Sequence, residues 1–415
     1  MTMATQTTQS VFTGLKVVEI ASFIAAPAAA TMLSDFGADV IKVEAPGMGD
    51  PQRLLSSVPP SPAAPGNYSW HLANRNKRGM AIDLKSEGGT EILKRLVEWA
   101  DVVITNFPHG TREGLHLGYD DVSSWNPRII YADITGFGDA GPDARLPGFD
   151  LTAFWSRSGL LAATRDAGAP PTSPPWGSGD YTTAVAIYAA ITTALYHRER
   201  TGKGSNVGTS LLATGVWATG TLVSAALAGA KPYELNDRTA PVNALTNPYQ
   251  SGDDRWMMLA ARRSAWPVLA KAIGRPDLLS DPRFGDAEAV GRHAAELAKL
   301  LDAEFRTQPL AHWEEALDKA RIPYGVIQTP EEAAEDPQLR AAGIVVPLEG
   351  ARDLKYTVNN PITLRGQARV PSRRAPELGE HNDDILAQLG FSVDDIAQLR
   401  EQKVIPTAPE QETAK

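Results

Sequence analysis

The chain has no cysteine among its 415 residues. That removes disulfides, Cys-held zinc, thiol nucleophiles and iron–sulfur clusters in one step, and it fits a reducing, cytoplasmic setting. Basic charge is also short. Forty Lys and Arg against 49 Asp and Glu leave a net charge of −9, so no nucleic-acid partner is expected, and an anionic ligand needs a local basic cluster. Residues 1–10 carry no basic side chain and lead into no apolar core, so no export signal is expected. Long apolar runs are scarce as well. The uncharged stretch Val207 to Ala230 is broken by Gly208, Gly215, Gly220 and Gly229 and diluted with Ser and Thr. It reads as buried helix packed through small residues, not as a membrane span.

Several catalytic signatures are missing. There is no G-x-S-x-G elbow and no H-E-x-x-H, and the seven histidines include no pair one helical turn apart, so neither a serine hydrolase nor a metal site is expected. The turn Ala21-Ser22-Phe23-Ile24-Ala25-Ala26-Pro27 has no glycine where a pyrophosphate would need close backbone approach. NAD and flavin are therefore not expected there. Thr201-Gly202-Lys203-Gly204-Ser205 resembles a P-loop fragment but lacks its earlier glycine and follows a helix, so it reads as a helix-ending turn.

The first half of the chain alternates strand and helix signals. Lys16 to Ile20, Ala38 to Glu44, Met80 to Leu84, Asp101 to Thr105 and Ile129 to Ile134 read as strands; Pro27 to Asp35 and Glu87 to Ala100 read as helices. This pattern predicts an α/β fold whose Rossmann-like domain has a parallel sheet covered on both faces. After about Ala230 the texture changes to a smaller α+β domain, with a strand from Arg255 to Ala260 and helices over Ser264 to Ile273 and Glu288 to Phe305. A further helix is expected to start at Thr329. Ile344 to Leu348 and Ile362 to Leu364 then read as strands, Asn382 to Leu389 and Val393 to Lys403 as helices, and the tail from Pro406 as frayed.

Asp180 closes a Pro/Gly/Ser-rich loop, Pro170 to Gly179, and opens the uncharged helical run Tyr181 to Leu195. Two readings of its carboxylate stand side by side. It is a helix N-cap, or it is a nucleophile held on a rigid element beside a loop whose small residues admit a substrate. A second cluster, Asn74-Arg75-Asn76-Lys77-Arg78 with Arg53, places four cations on loops. Such a run is either a solvated surface or a phosphate site.

Nine blocks in order resemble the class III CoA-transferases, the formyl-CoA and carnitine CoA-transferase family that also contains α-methylacyl-CoA racemase. They include Gly14 to Glu44 (GLKVVEIASFIAAPAAATMLSDFGADVIKVE), Gly49 to Arg53, Asn74 to Lys85 (NRNKRGMAIDLK), Ala100 to Phe107, Thr135 to Asp150 (TGFGDAGPDARLPGFD) and Asp180 to Gly204. Asn247 to Leu259, Arg321 to Gly343 and Ala375 to Leu389 continue the set, which spans nearly the whole chain. The resemblance implies a CoA-binding large domain built from both chain ends (1–200, and 331–415, which includes the return linker), a linker helix region (201–230) and a small domain (231–330). It also implies an interlocked homodimer with no membrane partner. It implies CoA transfer from an acyl-CoA donor to a carboxylic acid through an aspartyl-CoA thioester, with Asp180 at the position of the family's catalytic aspartate. Backbone N–H groups of Gly177, Ser178 and Gly179 are oxyanion-hole candidates by position. Arg53, Asn74, Arg75, Asn76, Lys77, Arg78 and Arg112 are CoA-binding candidates, and Ile24, Phe137, Phe149 and Trp176 are pocket candidates.

The racemase branch carries histidine where Phe149 stands. Phenylalanine can neither give nor take the proton that inverting an α-carbon needs, which favours transfer. A family member that binds acyl-CoA without turning it over is the non-catalytic alternative. Three departures from the family pattern mark this chain: Gly114 for an arginine associated with CoA, with Arg112 as a possible substitute; Ile24 for a glutamine of the formyl-CoA branch; and Gly208 for an aspartate. They put the formyl and oxalate substrates in doubt, and the aromatic and aliphatic residues that the resemblance places near the acyl group, Trp176 above all, hint at a more apolar acid.

Overall fold

A computed structural model describes residues 10–235, 237–367 and 369–406. The readings of the first nine residues and of the tail after Pro406 lie outside that range. The chain falls into two compact units. One is drawn from Met1–Leu160, Ser173–Ser224 and Gln338–Lys415, the other from Leu161–Thr172 and Ala225–Pro337.

The first unit is built on six parallel strands: β1 (Lys16–Ile20), β2 (Asp39–Glu44), β3 (Arg78–Ala81), β4 (Val102–Thr105), β5 (Ile130–Thr135) and β6 (Ser205–Ser210). Their order is β3-β2-β1-β4-β5-β6, with every neighbouring pair parallel. Alternate residues of the strands serve two cores, as the two-residue period of a strand requires. Val18, Ile20, Ile41 and Val103 join Ile92, Leu96, Ile385 and Leu399 on one face. Val17, Val40, Val102 and Ile130 join Ala29, Leu33, Ile187 and Ile191 on the other. The first of these cores is therefore filled from both ends of the chain, and the near-continuous apolar strands follow from burial on both faces.

The local signals act as their chemistry dictates. Ser86 Oγ accepts the Gly89 N–H at 3.0 Å to start the Glu87–Trp99 helix. Gly37 (φ 95°) follows the Ala25–Asp35 helix, and Gly202 (φ 72°) ends the Ser178–Thr201 helix by donating to Arg198 O at 2.8 Å.

Three elements differ from expectation. Val207 to Ala230 is not one buried helix. Its start belongs to β6, Ser210 Oγ then caps the Leu211–Ala218 helix at the Ala213 N–H, and a second helix covers Gly220–Leu227. Close packing through a small residue holds at Gly215, where a Cβ would lie 2.4 Å from Phe154 O, while Trp217 on the same helix is 88% exposed. Ile362 to Leu364 forms no strand, because Asn360 Oδ1 takes the Ile362 N–H at 3.0 Å. The helix expected from Glu288 to Phe305 is two, Ala287–Arg292 and Ala294–Phe305, broken at His293, whose ring packs edge-on to Phe284.

The second unit has its own core. An antiparallel sheet of β7 (Thr246–Gln250), β8 (Trp256–Ala260) and β9 (Tyr324–Val326) packs with helices around buried Trp266, Phe284, Phe305 and Trp313. Both indole N–H groups find carbonyls, Trp266 on Phe284 O (2.8 Å) and Trp313 on Phe305 O (2.7 Å), so neither ring carries an unmet polar atom inside.

Candidate active site

Asp180 is not the N-cap of its helix. The helix runs Ser178–Thr201, Gly177 occupies the cap position in the left-handed region (φ 82°), and Asp180 is the third helical residue. The cap function is supplied from elsewhere. Asp150, the first residue of a short π-helix (Asp150–Ser156), accepts the Gly177 N–H with Oδ2 at 2.6 Å and the Gly179 N–H with Oδ1 at 2.9 Å. This also corrects the oxyanion reading for Gly177 and Gly179, since both N–H groups are already spent on a carboxylate. Ser178 Oγ donates to Pro175 O at 2.7 Å and holds the loop.

Glycine is required at 179. A Cβ there would lie 2.3 Å from Asp150 Oδ1 and 2.3 Å from the Phe154 ring. Gly179→Ala should therefore dislodge Asp150 and the helix start together. The expected result is a loss of about 1–3 kcal/mol in denaturant unfolding and, if Asp180 takes part in the chemistry, a fall of about 10²-fold in turnover, because its carboxylate moves.

Asp180 is partly buried, and no hydrogen bond reaches its carboxylate from any described residue. Burial, aided by the nearby Asp150 charge, pushes it up to about 7. Burial raises Asp150 too, opposed by the N–H groups of Gly177, Gly179 and Asp180. Tyr181 beside them is raised by burial and by Asp180.

Among the pocket candidates, Ile24 is buried and its Cδ1 lies 3.1 Å from where a Gly177 Cβ would stand. Trp176 packs on the same core cluster as Ile24. Phe149 is 58% exposed and meets the Phe23 ring edge-on at 6.1 Å. Phe137 is set apart. It packs with Ala153, Phe154 and Leu211, with the Arg157 guanidinium 5.3 Å from its ring centre.

The candidate CoA-binding residues do not form one open basic surface. Arg75 is buried, with Nε and Nη2 donating to Asp35 (2.9 and 2.7 Å) and Nη1 to Leu72 O (3.0 Å). Lys77 is fully buried on Glu19 Oε2 (2.6 Å), Pro27 O, Ala73 O and Asn74 Oδ1, and burial pushes it down to about 8. Asn74 is buried with it. Asn76 donates to Asp35 and accepts the Arg373 N–H. Arg53 is forked onto Glu44 (2.8 and 2.8 Å) over the Trp70 ring, and Arg78 onto Asp39 (2.9 and 2.7 Å). Arg112, the substitute considered for Gly114, is buried on Asp133 Oδ2 at 2.8 Å. In a chain this acidic, cations that read as loop charges have found carboxylates inside. Only Arg53 and Arg78 of the Arg53 and Asn74–Arg78 set keep an exposed cationic edge, with 15% and 24% of their side chains accessible.

The Gly208 departure has a steric reason. Gly208 pairs with Asp133 across β5 and β6, and a Cβ there would lie 2.7 Å from Asp133 Oδ1. The carboxylate at this point comes from β5 instead, where it holds Arg112.

Three features escaped the sequence reading. The first is Asp150, whose motif Gly148-Phe149-Asp150 drew notice only for Phe149. The second is a buried network in which Lys42 Nζ meets Glu19 Oε1 (2.7 Å) and Asp50 Oδ2 (2.9 Å) while Lys77 meets the other Glu19 oxygen. Burial lowers Lys42, but the Asp50, Glu19 and Glu44 charges outweigh it and hold the ammonium above its ordinary range. Asp50 Oδ1 also takes the Phe23 N–H at 3.0 Å and so pins Phe23 in the left-handed region (φ 64°), unusual for a non-glycine residue. The third is a crevice of about 210 Å³ at the carboxyl ends of β1 to β4, lined by Ala21, Ser22, Ala45, Gly49, Asp83 and Lys85 among others. Lys85 is exposed there, and no carboxylate pairs with its ammonium among the described residues. The strand order reverses between β1 and β4, which is where open α/β sheets hold their ligands.

Among the described residues no cluster of three or more His, Asp or Glu is placed to hold a metal ion, and no helix is long and apolar enough to cross a membrane.

The model of CoA-transferase family III matches residues 12–382. The (R)-2-hydroxy-4-methylpentanoate CoA-transferase of Clostridioides difficile is 33% identical, with 94% of this chain and 98% of that protein aligned. The cinnamoyl-CoA:phenyllactate CoA-transferase of Clostridium sporogenes is 30% identical over 95% and 97%. A crystal structure of a CAIB/BAIF family protein from Brucella suis superposes with a TM-score of 0.81 at 30% identity, covering 92% of this chain and 100% of that one.

Proposed function

Because the chain belongs to CoA-transferase family III, we propose that it moves CoA from an acyl-CoA thioester to a free carboxylic acid through an aspartyl-CoA thioester at Asp180. The observation that carries this assignment is the state of the Asp180 carboxylate: fixed in the first turn of a 24-residue helix, partly buried, and without a hydrogen-bond donor among the described residues. An anion stripped of donors is a stronger nucleophile than a solvated one.

The steps balance without a net proton. Asp180 oxygen attacks the donor thioester carbonyl and expels CoA thiolate, leaving a mixed anhydride. The thiolate attacks the aspartyl carbonyl and expels the donor acid as its carboxylate, which leaves Asp180 as the CoA thioester. An acceptor carboxylate then attacks that thioester, and the returning thiolate attacks the acceptor carbonyl of the second anhydride, releasing acyl-CoA and free Asp180.

The nucleotide of CoA is assigned to the crevice beyond β1 to β4, with Lys85 as its phosphate partner; Arg53 would have to share Glu44 to contribute, while Arg78, on Asp39 at the amino ends of β3 and β2, lies away from it. Ile24, Phe149 and Trp176 suit an apolar acyl group. The two relatives named above support this, since 4-methylpentanoate and phenyllactate both carry apolar side chains. A homodimer, interlocked and completing each site with the partner's small domain, belongs to the same reading. Phe149 has no exchangeable proton and weighs against racemisation.

The test is mass spectrometry of the protein after incubation with succinyl-CoA, acetyl-CoA and aromatic or branched acyl-CoA donors, followed by hydroxylamine or borohydride. Modification is expected on the peptide carrying Asp180. An unmodified Asp180 with every donor would sink the assignment, and bound CoA without modification would identify a non-catalytic binder. Uptake of solvent deuterium at the α-carbon would instead indicate a racemase. A screen of carboxylic acids as acceptors then identifies the substrate.

A further inference from the structure

We propose that Asp150 is a positioning residue for the nucleophile: by accepting the Gly177 and Gly179 N–H groups it claims the donors at the helix start and leaves the Asp180 carboxylate free to attack. This rests on Asp180 being the nucleophile, as argued above. An aspartate in the first turn of a helix ordinarily turns onto the unpaired N–H groups there and is stabilised as an anion. That stabilisation would blunt it as a nucleophile. Here the donors are taken by a different carboxylate, delivered by the π-helix Asp150–Ser156, whose entry is fixed by the Phe149 N–H on Thr152 Oγ1 at 3.0 Å. Asp150 is 5% exposed and points both oxygens at the Ser178–Thr201 helix. Gly179 is the residue that lets it come so close, with Phe154 filling the other side.

The charge of Asp150 also acts on Asp180. The groups facing this pair are the N–H groups of Gly177, Gly179 and Asp180, and the Tyr181 side chain; the nearest effect of charge on Asp180 is repulsion from Asp150. A purely structural cap would leave the titration of Asp180 unmoved when its charge is deleted, whereas a residue acting through electrostatics and donor capture would shift it.

The experiment compares the intact protein with Asp150→Asn and Asp150→Ser. Acylation of Asp180 by acyl-CoA is followed by mass spectrometry across pH, and the protonated-carboxyl infrared band, assigned by its loss in Asp180→Asn, is titrated in parallel. In the unsubstituted protein both should show a midpoint near 7. In the Asp150 variants the midpoint should fall by about one pH unit and kcat should drop by about tenfold or more, with KM for acyl-CoA little changed. If Asp180 is acylated in the unsubstituted protein but the midpoint stays fixed in both variants, the proposal is overturned and the function stands. If Asp180 is never acylated, the function itself fails, and the infrared midpoint alone then decides whether Asp150 governs Asp180. Failure of both variants to fold would mark Asp150 as a structural cap and overturn the proposal.

Discussion

Asp180→Asn should abolish CoA transfer, lowering kcat by more than about 10³-fold, and yet yield a more stable protein above neutral pH. The two effects share one cause. Burial and Asp150 raise Asp180 from the usual 3.8 to about 7, so the fold holds the proton more tightly than the unfolded chain does. A group raised in this way contributes stability that is complete below pH 4 and is lost as pH rises from about 4 to 7. Asparagine does not titrate and suffers no such loss. Chemical denaturation should show the variant about 2–4 kcal/mol more stable than the native protein at pH 8 and equal to it at the acid end. On the proposed mechanism, the native protein's activity should rise with pH through about 7 as Asp180 ionises. A variant that is inactive and destabilised at pH 8 would mean that the carboxylate is structural. Because Gly177 and Asp150 supply the cap, no capping role for Asp180 can mask the result.

Glu19→Gln should strongly destabilise the sheet. Glu19 is the shared anion of Lys42 and Lys77, and all three side chains are 0% exposed. Gln keeps the size but removes the charge, leaving two buried ammonium groups with Asp50 as the remaining carboxylate in contact with Lys42. Loss of one partner from such a pair costs about 3–5 kcal/mol. The loss depends on pH in a defined direction. Lys77 sits at about 8 in the native protein, pushed down mainly by burial and supported by Glu19. Without Glu19 it falls further and is neutral at lower pH, so the deficit of the variant should narrow as pH rises toward about 8 and stay level above it. Equal stability of the two proteins at pH 6.5 in urea unfolding would show that the network contributes nothing. Asp50 links this network to the site, since it also holds the Phe23 N–H, and the Phe23 ring packs against Phe149. A change in acyl preference is therefore expected alongside the loss of stability.

Much of this protein is determined by local chemistry and is therefore readable in the chain. Apolar β-branched runs alternating with helices of a dozen residues lead to a parallel sheet buried on both faces, since only that arrangement covers both sides of such strands. Gly37 and Gly202 end helices because they alone enter the left-handed region without cost. Asp180 stands out as the carboxylate between a glycine loop and an uncharged helix, and the ordered resemblance implies a role for it. Partnership across the fold is not written in any such local pattern. Arg75 and Lys77 read as loop cations, yet the fold turns them inward onto Asp35 and Glu19, which lie 40 and 58 residues away in the chain. Asp150 and the loop it secures are 27 residues apart, with nothing in either segment to announce the other. The sequence by itself determined the parallel sheet and most of the helices and singled out Asp180 as the candidate carboxylate, because backbone preference and burial act over a few residues. Only the tertiary structure decided which charges are spent in the interior and which carboxylate stays free, because ion pairing and desolvation depend on distances in space that the chain order does not contain.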